Sequence, residues 1–263
     1  MGFIARNATW TRLAGILAAL TLAAGPAALT TGPASAATPS CGPSCIDLFS
    51  WQFGNFGHPN FVQDVFRQGQ KVGQPIILFR EANSDPAEDF AAEFNGLASD
   101  FYAAGLVSSA VALHWGCVNG AINIPGGPIA CAPGATDDPA FEAEYAPFGV
   151  DSGLCVGLAS TAFAGEGVTL QPCGQSSRTV WIVDTVDQLK ITNAGVPLIN
   201  GSDLNFSHPY VLTYPDSAFP TDKPRPQLFV TNLTGFTQPG GIFPVIGTVK
   251  SSQLWSADFG VLP

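Results

Sequence analysis

The chain has 263 residues with twenty acidic against ten basic side chains, a formal net charge of −10. That balance excludes nucleic acid as a natural partner. Charged residues make up only 11% of the chain while Gly (29) and Pro (22) are abundant, which excludes an architecture of long exposed helices and favours short strands joined by many turns.

The first residues carry Arg6 and Arg12, then an apolar run from Leu13 to Ala24, then the small-residue sequence Ala34-Ser35-Ala36. This order predicts a cleaved signal peptide over residues 1–36. The apolar run is broken by Gly25 and Pro26 and falls short of the roughly 20 residues a membrane span needs. The expected mature protein is a single domain over 37–263, exported and extracellular, with no membrane attachment after cleavage. Removal of the signal leaves eight basic residues against twenty acidic ones, a net of −12. Thr38-Pro39-Ser40 before Cys41 lacks the small-apolar context of a lipid-anchored cysteine.

All six cysteines follow the cleavage point, and an even number in an oxidising compartment predicts disulfides. Cys155 with Cys173 and Cys117 with Cys131 each close a short loop, leaving Cys41 with Cys45, unless that pair bridges to the insertion described below. Each closure stabilises by about 3 kcal/mol through loop entropy. Cys41-Gly-Pro-Ser-Cys45 has one residue too many for a thioredoxin-type redox pair and no βαβ pattern after it, so a structural clip is expected.

Three landmarks recur in the same order three times. The first landmark is Gly57-His-Pro-Asn-Phe-Val-Gln-Asp-Val65, which begins like Ser207-His-Pro-Tyr-Val-Leu-Thr-Tyr214, with Asp151-Ser-Gly-Leu-Cys-Val-Gly-Leu158 laid beside them. A second strand follows each: Gly73 to Phe79, Gly167 to Gln171, and Pro226 to Val230. A closing triplet ends each set: Glu88-Asp-Phe90, Thr179-Val-Trp181 and Gln253-Leu-Trp255. The repeats are placed at about 45–113, 141–200 and 205–260.

Between 85 and 105 two signals compete. Asp85-Pro86 with Glu88 has the form of a helix N-terminus, and Phe90, Phe94, Leu97 and Phe101 recur at helical spacing. Asn95-Gly96 is a two-residue hairpin signal, and the expectation is a hairpin of strands 90–94 and 97–101. Residues 115–139 and 235–248 are rich in Gly and Pro and are expected to be surface loops. Asp137, Asp138, Glu142 and Glu144 lack ordered calcium-loop spacing and are expected to form a solvated acidic loop. Asn200-Gly-Ser, Asn205-Phe-Ser and Asn232-Leu-Thr are formal glycosylation sequons.

The intact Q-x-W triplet at Gln253-Leu254-Trp255 and the Cys155 to Trp181 segment resemble the ricin-type (ricin B lectin-like) β-trefoil family over about residues 45–260. The resemblance implies an all-β fold, a β-trefoil of three degenerate repeats, with an internal Cys155–Cys173 disulfide and with Phe90, Trp181 and Trp255 in the core. It also implies a sugar pocket per repeat, in which an aromatic stacks on the ring and a carboxylate accepts from vicinal hydroxyls. The matching positions in the first repeat are Asp64, Phe79 and Glu88, with Ile77 at a usually polar place. In the second, Gly157 and Gln171 replace the carboxylate and the aromatic, so no pocket is expected. In the third, Gln227, Phe229 and Gln253 remain but Thr213 stands at the carboxylate position.

His58, His114 and His208 stand alone, and no nucleophile-elbow or zinc-protease motif is present. The reading is a secreted, non-catalytic carbohydrate-binding protein without cofactor or metal, whose partner is an extracellular glycan or cell-wall polysaccharide. A trefoil that binds protein partners, as an inhibitor or an envelope-associated module, is the alternative.

Overall fold

The computed structural model describes residues 45–51, 61–82, 85–117, 120–124, 127–131, 135, 137–183, 195–215, 226–234 and 249–258. Contacts divide the chain into Met1–Ala34 and Ser35–Pro263, and all described residues belong to the second unit. The expected signal peptide, the Cys41–Cys45 pairing, His58 and the 235–248 loop lie outside the described residues. Among the described residues no helix is long and apolar enough to cross a membrane.

Short runs with every second residue apolar form the strands. The first four are β1 (Cys45–Ser50), β2 (Phe61–Val65), β3 (Ile76–Arg80) and β4 (Phe90–Leu97). An insertion then supplies α1 (Ala98–Ala103), α2 (Ser109–Trp115), β5 (Ala121–Ile124) and β6 (Gly127–Ala130). The second set is β7 (Pro139–Tyr145), β8 (Leu154–Leu158), β9 (Val168–Pro172) and β10 (Trp181–Val183). The third is β11 (Leu198–Asn200), β12 (Tyr210–Thr213), β13 (Phe229–Asn232) and β14 (Trp255–Asp258). The strand 198–200 thus opens the third set, whereas the sequence reading placed it at the end of the second.

The first and fourth strands of each set form a ring. β1 pairs with β4, β4 with β7, β7 with β10, β10 with β11 and β14 with β1, and the Val196–Trp255 bridge joins the third set to its own closing strand. The middle strands form hairpins, β2–β3, β8–β9 and β12–β13. These hairpins interlock through three cyclic bridges, Pro75 with Thr169, Gly167 with Phe229 and Gln227 with Ile77. The same backbone bond recurs at each: Leu170 N–H to the Gln74 carbonyl (2.8 Å), Val230 to Glu166 (3.0 Å) and Leu78 to Pro226 (3.3 Å). A strand ring capped by three interlocked hairpins is a β-trefoil, and its closure leaves no free edge in the ring.

The shared core takes Val65, Ile76 and Leu78 from the first hairpin, Val156, Leu158, Val168 and Leu170 from the second, and Leu212, Leu228 and Val230 from the third. Phe90, Trp181 and Trp255 pack into it, all at 1% exposure or less. The indole N–H of Trp181 donates to the Val156 carbonyl (2.9 Å), and that of Trp255 to the equivalent Leu212 carbonyl (2.9 Å). Phe90, which has no such donor, packs beside Tyr145 with ring centroids 6.0 Å apart. Cys155–Cys173 ties β8 to the end of the β9 hairpin, and Cys117–Cys131 closes the β5–β6 hairpin.

The loop expected over 115–139 carries the short hairpin β5–β6, whose second strand is largely exposed, and two helices stand ahead of it in the chain. α1 and α2 contribute Phe101, Val111 and Trp115 to a second apolar cluster with Val180, Ile182, Ile199 and Val211, on the outside of the ring. Residues 90–101 do not form the expected hairpin: one strand runs from Phe90 through Asn95-Gly96 to Leu97, and a helix begins at Ala98. Gly96 serves space and not a turn, since a Cβ there would lie 2.8 Å from Asp100 Oδ2. That carboxylate accepts from Leu97 N–H at the start of α1 (2.9 Å). The capping signal at Asp85 is real but brief, because Asp85 accepts from Ala87 N–H (3.0 Å) over a single 3₁₀ turn, Pro86–Glu88.

Trp181→Phe keeps the aromatic plug but strands the buried Val156 carbonyl. The variant is expected to lose about 1–3 kcal/mol in urea unfolding, with its far-UV spectrum unchanged.

Candidate functional site

The cyclic bridges fix which residues of the three repeats correspond. Asp64 pairs across its hairpin with Ile77, Gly157 with Thr169, and Thr213 with Phe229, so Asp64, Gly157 and Thr213 are equivalent. The same register makes Phe79, Gln171 and Thr231 equivalent, and Glu88, Thr179 and Gln253. Phe229 therefore matches Ile77 and not Phe79, and Gln227 matches Pro75. The sequence alignment placed both two residues away from their structural equivalents.

In the first repeat Asp64 and Phe79 lie on one face of the β2–β3 hairpin, opposite the core face that carries Val65, Ile76 and Leu78. Phe79 is half-buried, whereas Asp64 is only 2% exposed and Glu88 5%. Ligand oxygens of Asp64, Asp85 and Glu88 lie within 4.8 Å of one another. Glu88 accepts the Ala82 N–H with both carboxylate oxygens (3.1 Å each), and Asp85 Oδ1 accepts from Gln68 Nε2 (3.1 Å).

The second repeat is closed at this place. A Cβ on Gly157 would meet the Arg178 carbonyl and Thr179 Cγ2, both at 2.8 Å. Thr179 is too short to reach the Gly174 N–H, which corresponds to Ala82. Glu142 of β7 binds it instead (3.0 and 3.2 Å) and also accepts the Thr179 hydroxyl.

In the third repeat Gln253 Oε1 accepts the Thr234 N–H (2.9 Å) and hydroxyl (2.8 Å), while its Nε2 donates to Thr231 Oγ1 (3.0 Å) and the Asn232 carbonyl (2.9 Å). All four of its hydrogen-bonding positions are used within the repeat. Gln227 is exposed, with Nε2 on the Val168 carbonyl (3.0 Å), and Phe229 is half-buried beside Thr213.

The residues expected to form a solvated acidic loop are structural. Asp138, Glu142 and Glu144 are buried, and Asp137 accepts both the N–H and the hydroxyl of Ser99 at the start of α1 (3.0 and 2.6 Å). Glu144 occupies the place held by Phe49 and Ile199 in the other repeats. Its carboxyl is pushed up to about 7, chiefly by burial, then by its hydrogen bond to Glu93 and the charges of Glu93 and Asp151, against the Gly153 N–H that lowers it.

A shallow pocket of about 270 Å³ opens where the second and third repeats meet α2. It is lined by Ser108, Thr161, Ser176, Ser177, Arg178 and Ser202. Arg178 is oriented by Ser176 Oγ (3.2 Å) and the Ala159 carbonyl. Sequence reasoning passed over this pocket because its residues come from four separate segments. Asn200, a formal sequon, is 1% exposed and donates from Nδ2 to the Arg178 carbonyl (3.0 Å).

No protein-family model and no curated protein matches the sequence. Among solved structures the chain is similar to a designed 3-fold symmetric protein, ThreeFoil, at 11% identity and TM-score 0.43, covering 82% of this chain and 98% of that one. It is similar to a mosquitocidal holotoxin at 12% identity and TM-score 0.43, covering 82% of this chain and 17% of that one. Agglutinin from Abrus precatorius aligns at 11% identity and TM-score 0.27, over 81% of this chain and 95% of that one. The strand topology establishes the trefoil independently of these likenesses.

Two outcomes are expected. Gly157→Ala, which adds a methyl against fixed backbone, should cost about 1–3 kcal/mol in urea unfolding. For Glu144, the folded value near 7 lies above the ordinary 4.5, so the folded state holds the proton more tightly. Its stabilising contribution is complete below about pH 4.5 and is lost as the pH rises through 7. Urea midpoints of Glu144→Gln should therefore fall less across that window than those of the parent protein.

Proposed function

We propose that this protein is a secreted, non-catalytic carbohydrate-binding trefoil, with the first repeat as its principal station and an extracellular glycan or cell-wall polysaccharide as its partner. One observation carries the reading: among the three stations, only the first combines a carboxylate with a half-exposed aromatic on the same hairpin face. Phe79 offers a surface on which the apolar face of a sugar ring stacks, and Asp64 supplies the negative charge beneath it. The negative net charge of the chain argues against nucleic acid or an anionic surface as the partner.

A second reading, a trefoil that binds protein, draws on the closed state of the second station and the fully committed Gln253 of the third. It is also supported by an insertion that adds a helix pair and a disulfide-closed hairpin to the outside of the ring.

A glycan array and a polysaccharide pull-down, each competed with simple sugars, separate the two. Phe79→Ala should weaken saturable glycan retention by up to about tenfold, in line with the loss of about 0.5–1.5 kcal/mol of ring contact, while leaving the unfolding midpoint close to the parent's. Retention unchanged in both Phe79→Ala and Asp64→Asn, or binding that no sugar competes, would favour the protein-binding reading.

A further inference from the structure

We propose that the first repeat holds a hard divalent cation of the calcium class between Asp64, Asp85 and Glu88. Calcium binds oxygen ligands at about 2.3–2.6 Å, so two ligands of one ion stand at most about 5 Å apart. The three carboxylates meet that condition, with ligand atoms all within 4.8 Å. Two of them, Asp64 at 2% and Glu88 at 5% exposure, are withdrawn from water.

Tyr145 gives an independent indication. Its side chain is 0% exposed and its hydroxyl has no hydrogen-bond partner among the described residues, a state that costs free energy in a dry core. The ring register sets the face it stands on. Tyr145 pairs with Phe90 as Asn200 pairs with Trp181, and Asn200 reaches the carbonyls of Arg178, inside the 3₁₀ turn Ser177–Thr179 of its station, and of Val180, just after it. By the same register Tyr145 stands on the strand face that meets the turn Pro86–Glu88, which carries Glu88 and is capped by Asp85. Burial, followed by the charges of Asp89, Asp64 and Asp85, pushes its phenol up to about 12, which keeps it a neutral hydroxyl. A cation among the carboxylates, or a water on that cation, supplies the partner this hydroxyl lacks. No other repeat offers the set, because Gly157 and Thr213 replace Asp64 while Thr179 and Gln253 replace Glu88.

The inference overlaps the proposed glycan station but does not rest on it, and it is tested without sugar. The full mature protein, stripped with chelator, is melted with and without calcium chloride, and terbium luminescence excited through aromatic side chains serves as a second readout. At calcium about a hundredfold above Kd, the midpoint should rise by roughly 5 °C or more. The rise should vanish in Asp64→Asn and Glu88→Gln, and terbium emission should fall severalfold in Tyr145→Phe, which keeps the ring and its packing. An unchanged midpoint with calcium, or an equal rise in both carboxylate variants, would overturn the site. Acidification replacing calcium as the stabiliser would also overturn it, since the carboxylates would then be held by shared protons. Calcium binding without glycan retention leaves this inference standing and removes the glycan reading, and the reverse result does the opposite.

Discussion

Three backbone amides, those of Ala82, Gly174 and Thr234, occupy the same place in the three repeats, where the chain leaves a hairpin and heads for its closing strand. Each is met by a side-chain oxygen: Glu88, Glu142 and Gln253 respectively. Leaving such a donor unmet costs about 1–3 kcal/mol once it is out of water. The oxygen holds the 3₁₀ turn in place, and the turn sets the angle at which Phe90, Trp181 or Trp255 enters the core. In the second repeat the bond survives although its usual supplier is gone. Thr179 cannot span the distance, Glu142 reaches in from the neighbouring strand, and the threonine hydroxyl is turned to support that carboxylate. The constraint is kept while the residue that satisfies it changes.

This explains what could be read from the chain and what could not. Closing aromatics and the alternation of strands such as Val168 to Gln171 are local patterns that mark three sets of strands, while the trefoil itself followed from the family resemblance of Gln253-Leu254-Trp255 and the Cys155 to Trp181 segment. The Asp64, Gly157 and Thr213 correspondence, which the family resemblance implied, agrees with the structure, where each is the fourth residue of β2, β8 or β12. Phe229 was misplaced because the aromatic looked equivalent to Phe79, whereas inter-hairpin bridges set its register, and those join residues far apart in sequence. The role of Gln253 was hidden for a similar reason. A glutamine beside a tryptophan reads as a ligand donor until Thr231, Asn232 and Thr234 are seen to consume it. Phe90 to Phe101 carried both helical and hairpin signals; the ring claimed residues up to Leu97, and the helix took the remainder.

The insertion changes the energetic character of the domain. A trefoil core alone is a small cylinder, and its outward residues between the second and third sets would ordinarily face water. Here Ile182, Ile199 and Val211 are covered by Phe101, Val111 and Trp115. Burying three such large side chains contributes on the order of several kcal/mol before ordering costs. Asp137 anchors the start of this helical cover by binding Ser99, so an acidic residue that looked solvated ties the insertion to the ring.

Ring closure also orders events in time. Hairpins such as β8–β9 join near neighbours and carry their own disulfide, whereas the final seam pairs Asp47 with Asp258 and Ser50 with Trp255 across almost the whole described chain. Contacts of such long range form slowly, because the loop they close must be ordered first. Until the seam zips, β1 and β14 each present an open strand edge and Trp255 has only part of its socket. Refolding at high concentration is therefore in competition with edge-to-edge pairing between molecules, and the speed of this one seam sets how long that competition lasts.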